Sequence, residues 1–247
     1  MTELPQDEFY IGYASHAPRG VARVARRVVA TLFGSVALLA LLLAFGQQRL
    51  ALSVFEFGQY HEYSGVIRAT PYPVLLTQTE QTLTQYLLVA PGKQHADVAR
   101  FDGQAVTLRA ARIRRDGAVM LEIVPESLAA TSTVSIVPPA QSELGTFTLV
   151  GEIVDSKCYL GVMNPGHTKP HRDCAVRCIS GGVPPLFIAR DAQGSELKLL
   201  LTDAHGAPVN QAVLDMVAEP LEIRGRVLRV GAQFYLQADP VGYRRVP

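Results

Sequence analysis

Net charge is nearly absent from this chain. Its 247 residues carry 23 Lys and Arg against 22 Asp and Glu, for +1 overall. That balance excludes a nucleic-acid binder, which needs a strongly basic face. Cysteine is scarce: there are three, all between positions 158 and 178. An odd, clustered set is not a disulfide framework and reads as a local site. Familiar catalytic signatures are missing too. There is no G-x-S-x-G, no H-E-x-x-H, no P-loop and no G-x-G-x-x-G followed by a helix. Carboxylates are scattered rather than paired, so no catalytic residue is assigned. Tryptophan is wholly absent, whereas 20 Gly, 16 Pro and many short valine-containing runs lean toward β structure.

One apolar run stands apart. Val28 to Phe45 reads VVATLFGSVALLALLLAF, without a charge. At a 1.5 Å rise per residue it spans about 27 Å, close to the hydrocarbon core of a bilayer. Arg19, Arg23, Arg26 and Arg27 precede it and only Arg49 follows closely. Positive charge stays on the cytoplasmic side, which predicts an inner-membrane protein with its N-terminus inside and its C-terminal domains in the periplasm. The run exceeds the core of a cleaved signal peptide, so an anchor is preferred over a signal. Residues 1–27 read as a cytoplasmic tail, polar and disordered at its start, and 28–46 as the transmembrane helix.

Self-comparison organises the remainder. Val106 to Pro125, VTLRAARIRRDGAVMLEIVP, aligns without a gap with Leu221 to Pro240, LEIRGRVLRVGAQFYLQADP, at an offset of 115. Both read as a β-hairpin, turning at Asp116-Gly117 and at Gly231-Ala232. Upstream, Tyr63–Ile67 resembles Leu149–Ile153 at an offset of 86, each with a glycine in mid-strand. The sequence therefore predicts a mainly β protein: two tandem OB-like small β-barrels, 47–130 and 145–247, joined by a Ser/Thr/Pro-rich linker over 131–144. A β-sandwich is the alternative. The two offsets differ by 29 residues, so the second unit carries an insertion of about that length. All three cysteines fall within it.

The insertion reads DSKCYLGVMNPGHTKPHRDCAVRCISGGVPP from Asp155. Its pattern predicts a short helix from about Pro170 to Ile179, capped by Thr168 and ended by Gly181-Gly182. His171, Cys174 and Cys178 then share one helical face, with Ala175 and Ile179 beside them to pack on the barrel. Cys158 comes from the end of the preceding strand and His167 from the loop. Thiolate and imidazole suit zinc, copper or iron rather than calcium or magnesium. Cys158, Cys174 and Cys178 with His171 or His167 would close a tetrahedral site. Asp155 could orient a ligating histidine, although an Asp-Ser pair at a strand end more often only makes a turn. Two other readings stay open: a structural disulfide from Cys158 to Cys174 or Cys178, and redox-active thiols with Arg172 and Arg177 nearby.

The run D-S-K-C-x2-G-x-M-x-P-G followed by H-x2-C-A-x2-C-I-x-G-G-x-P-P resembles a set of uncharacterised bacterial membrane-anchored proteins. The resemblance covers Asp155 to Pro185 and implies a recurring unit, with no activity attached. Taken together, the sequence suggests a metal-binding accessory, electron-transfer-associated or metal-handling protein tethered at a membrane, in association with a membrane complex. The alternatives are a stapled interaction module and a membrane-anchored thiol oxidoreductase.

Overall fold

A computed structural model describes residues 17–46, 52–79, 82–132, 136–191 and 193–246. The tail up to residue 16, Arg49 and the middle of the linker lie outside the described residues. The chain divides into two units, one around the N-terminal helix and one from residue 50 onward.

Helix α1 runs Arg19–Gly46 and is long and apolar enough to cross a membrane. It begins nine residues before the apolar run. No proline interrupts residues 19–27, and Ala22 N–H donates to the Pro18 carbonyl at its start. The arginines assigned to the tail therefore lie on the first turns of the same helix.

The second unit holds two five-stranded barrels. In the first, β1 is His61–Arg68, β2 Val74–Thr79, β3 Thr82–Val89, β4 Ala105–Arg115 and β5 Ala118–Ile123. In the second, β6 is Gln141–Asp155, β7 Pro185–Arg190, β8 Glu196–Thr202, β9 Pro220–Val230 and β10 Gln233–Gln237. The first sheet closes in the order β1-β2-β3-β5-β4-β1. The second repeats it as β6-β7-β8-β10-β9-β6. Each barrel has a single parallel contact, β3 with β5 and β8 with β10, and this is the OB-like topology. A sandwich is excluded because both sheets close. The linker is shorter than its composition suggested, since β6 already starts at Gln141.

Position follows position between the barrels. The two-residue turns fall at 116–117 and 231–232. Short end strands at Ala129–Ala130 and Arg244–Arg245 pair Val106 with Ala130 and Leu221 with Arg245, keeping the offset of 115. Gly65 in β1 and Gly151 in β6 do the same work. A Cβ on Gly65 would lie 2.1 Å from the Leu76 carbonyl oxygen, and one on Gly151 would lie 2.2 Å from that of Ile188. Both glycines let the barrel coil tightly against its neighbour strand. Gly65→Ala and Gly151→Ala are each expected to cost about 3 kcal/mol, the upper end for overpacking because backbone rather than a side chain must yield. Denaturant midpoints would show it; an unchanged midpoint would mean the strands shift freely.

Three apolar cores result. One fills the first barrel around Ile67, Leu75, Leu88 and Leu121. Another fills the second around Ile153, Phe187, Leu201 and Leu236, joined by Ala175 and Ile179. The third lies between the barrels and includes Ile113, Met120, Leu186, Leu200, Cys158, Tyr159 and Leu160. The barrels are thus not beads on a string. They share a core, and the insertion supplies part of it.

The insertion occupies residues 156–184, between β6 and β7, where the first barrel has only 69–73. It opens with a buried turn, Cys158–Val162, and passes through a turn at Asn164-Pro165-Gly166. A single 3-10 turn, Lys169–His171, leads into helix α2, Arg172–Ser180. The helix lies where the sequence placed it, but Thr168 does not cap it. Its hydroxyl donates to the adjacent His167 carbonyl instead.

Candidate metal centre

The site begins at the end of β6. Asp155 is fully buried, and both its carboxylate oxygens are engaged. Oδ1 accepts the Cys158 N–H at 2.7 Å, which turns the chain out of the strand. Oδ2 meets His171 Nε2 at 3.0 Å. That contact fixes the orientation of a buried imidazole on the far side of the insertion. A carboxylate holding a histidine ring is a common support for a metal ligand.

The three cysteines are free, so no disulfide staples the insertion among the described residues. Cys158 and Cys178 are buried and Cys174 is half-buried. The Cys158 and Cys174 sulfurs lie 4.0 Å apart. Two sulfurs bound tetrahedrally at about 2.3 Å from one zinc would lie about 3.8 Å apart. Donor atoms within 4.8 Å of one another form two groups: Cys158, His171 and Cys174, and Asp155, Cys158 and Cys178. Cys158 belongs to both. The helix thus brings His171 and Cys174 into one donor group with Cys158, whereas Cys178 groups with Cys158 and Asp155 and shares no group with His171 or Cys174.

His167 goes elsewhere. Its Nδ1 sits 3.3 Å from Glu152 Oε1, and its ring packs edge-on against Tyr159. It belongs to neither donor group. The cause lies in the first barrel. Buried Arg115 donates to the Tyr159 carbonyl at 2.8 Å and to the Pro165 carbonyl at 2.9 Å, with its guanidinium over the Tyr159 ring. That grip holds the turn before His167 on the Tyr159 side.

No protein-family model, curated protein or solved structure matches the sequence. The chemistry of the site must therefore be read from its own residues.

One residue absent from the sequence reading completes the cluster. Lys93, on the loop after β3, places Nζ 2.8 Å from the Cys174 sulfur and 3.6 Å from that of Cys178. Two contacts set this loop against the insertion. Buried Lys157 spends its three protons on Glu122 Oε2 at 2.5 Å, the Gly92 carbonyl at 2.7 Å and the Ala90 carbonyl at 2.9 Å. His95 N–H donates to the Gly181 carbonyl. Gly181 has no room for a side chain, because a Cβ there would lie 1.8 Å from the Lys93 carbonyl oxygen. So the glycine that ends α2 also admits the backbone of the other barrel.

The electrostatics favour a proton shared unequally. The Cys178 thiol is pushed down, chiefly by the hydrogen bond from Cys158 and further by Lys93, against burial and the Asp155 charge. The Cys158 thiol is pushed up, chiefly because it donates that bond, with burial and Asp155 acting the same way. Lys93 is pushed up by its hydrogen bond with Cys174. Sulfur, imidazole, carboxylate and one cation thus meet where the two barrels and the insertion join.

Proposed function

We propose that this chain is a single-pass, membrane-anchored protein that binds one transition metal ion, zinc, copper or iron, at the junction of its two barrels. Cys158, Cys174 and His171 hold the ion and Cys178 completes the set; Lys93 offsets thiolate charge from the side. The arginine-rich start of α1 supports a cytoplasmic N-terminus and barrels in the periplasm of a bacterial inner membrane. The shared topology and the conserved 115-residue offset support duplication of one barrel unit, with the second copy elaborated. Such a protein serves as an accessory, electron-transfer-associated or metal-handling partner of a membrane complex.

The observation that carries the metal reading is the grouping of two unbridged cysteines, Cys158 and Cys174, with a histidine whose ring is held by a buried carboxylate. Calcium and magnesium do not suit such donors. The deciding experiment is metal content and free-thiol count on the full-length protein purified in detergent. About one equivalent of zinc, copper or iron per chain is expected, with three thiols released on denaturation under chelator. Absence of metal together with one disulfide would overturn the proposal.

Asp155→Asn tests the support of the ligand. The side chain keeps its shape but loses the charge that holds His171. Metal affinity is expected to fall about 10–100-fold, measured by competition with a chelator. An unchanged affinity would remove His171 from the ligand set.

A second reading rests on Lys93. An ammonium 2.8 Å from Cys174, with Cys158 at 4.0 Å, also suits a thiol pair that cycles to a disulfide. The thiol count separates the two, since that reading requires a reducible Cys158–Cys174 bond and no metal.

A further inference from the structure

The two barrels enclose a second feature, separate from the cysteine cluster. A cleft of about 740 Å³ opens between them, bounded by the turn after β1, the linker and the loop after β8. Its volume lies within the range of small-molecule sites. The floor is apolar, formed by Val74, Leu76, Leu228 and Tyr235 from both barrels. The rim carries two arginines, Arg68 at the end of β1 and Arg226 on β9, and His205 is also in the lining. Among the described residues no Asp or Glu lines it.

The cations differ in how far they are already used. Arg226 donates to Gln237 Oε1 at 2.9 Å and lies 3.7 Å from Glu143, a pair half-exposed on both sides and therefore weak. The Arg68 side chain has no hydrogen bond or ion pair among the described residues. A polar group at the edge is also unsatisfied. Thr202, the last residue of β8, is 1 % exposed and borders the cleft, and its Oγ1 has no hydrogen-bond partner. A buried hydroxyl left so is costly, and a small shift of this strand end would present it to a ligand in the cleft.

We propose that this interbarrel cleft binds a small organic carboxylate with an apolar body. The guanidinium of Arg68 is free to take a carboxylate in bidentate fashion, and planar pairing of that kind is what arginine does better than lysine. The apolar floor takes the hydrocarbon part. Inorganic phosphate would leave that floor unused. A nucleic acid strand would require a longer track of cations and exposed stacking aromatics, and Tyr235 is buried with its hydroxyl donated to Gln233. Because the cleft shares none of the proposed metal ligands, it stands or falls apart from the metal reading.

The test is titration calorimetry on the full-length chain in lipid nanodiscs with four probes: hexanoate, phenylacetate, phenethylamine and inorganic phosphate. At least one of the two carboxylates is expected to bind, phenethylamine is expected not to, and phosphate is expected to bind at least about tenfold more weakly. Arg68→Gln, on an exposed side chain, is expected to weaken the carboxylate about 10–100-fold, the value of a charge-assisted hydrogen bond. Thermal midpoint and metal content of this variant are expected to match the parent, which separates lost binding from lost folding. The proposal is overturned if neither carboxylate binds. It is also overturned if the amine or phosphate binds equally well, or if Arg68→Gln leaves carboxylate affinity unchanged.

Discussion

Cys158→Ser is expected to strip the protein of bound metal, leaving less than about a tenth of an equivalent after dialysis. The reason is position. Cys158 is the one donor common to both groups, the first with Cys174 and His171 and the second with Asp155 and Cys178. A serine hydroxyl has nearly the same shape, but it keeps its proton at neutral pH and is a hard, weak ligand. Structural zinc sites bind with about 10–16 kcal/mol at neutral pH, and loss of the shared thiolate removes a large part of that. Cys174→Ser is expected to be milder, because Cys174 belongs to one donor group only and is the least buried of the three cysteines. Elemental analysis of the parent and both variants, purified side by side, would decide. If Cys158→Ser retained a full equivalent while Cys174→Ser lost it, Cys158 would be a packing residue of the interbarrel core and not a ligand.

Lys157→Met is expected to be the most damaging single change away from the cysteines. Lys157 is 3 % exposed, and its partner Glu122 is 7 % exposed. Removing one member of a buried pair leaves the other charge without compensation, at about 3–5 kcal/mol. In a unit of roughly 200 residues that lowers the thermal midpoint by about 6–20 °C. The carbonyls of Ala90 and Gly92 also lose their donor. Glu122→Leu combined with Lys157→Met is therefore expected to recover part of the loss, though not all of it. Thermal unfolding of the two single variants and the double variant forms the test. If the double variant were no more stable than Lys157→Met, the stranded Glu122 charge would not be the source of the damage. The same substitution frees the loop that carries Lys93, so contact between Lys93 and Cys174 is expected to loosen with it.

Much of the architecture was legible because it rests on local periodicity. Alternation in Ala105–Arg115 and Pro220–Val230 follows from a strand with one face on a core. The two-residue turns follow from Asp116-Gly117 and Gly231-Ala232, and the OB-like barrel follows from five such strands that recur in the same order, with the hairpin at an offset of 115 and the first strand at 86. The 3.6-residue period of α2 brings His171, Cys174 and Cys178 to one face, and Ala175 with Ile179 to the second barrel's core. Thr168 misled because a hydroxyl beside a helix start can bond elsewhere, and its backbone here adopts a positive φ of 66°. His167 misled because nearness in sequence says nothing of direction at a turn. Arg115, fifty residues away from Pro165, sets where that loop goes.

The amino-acid sequence by itself determined the apolar N-terminal helix, the pair of β units, the position of the insertion and the donor types gathered in it. Each of these follows from composition and short-range pattern, which act over a few residues. Only the tertiary structure decided that the barrels share a core, that Asp155 holds His171, and that Lys93 comes from the other barrel to the Cys174 sulfur. Those contacts join residues 16 and 81 positions apart, across a strand end and across two barrels. Nothing in local spacing encodes them. They arise because burying Leu160, Met120 and their neighbours between the barrels gains more than leaving each barrel solvated, and the charged groups carried inward with them must find partners there.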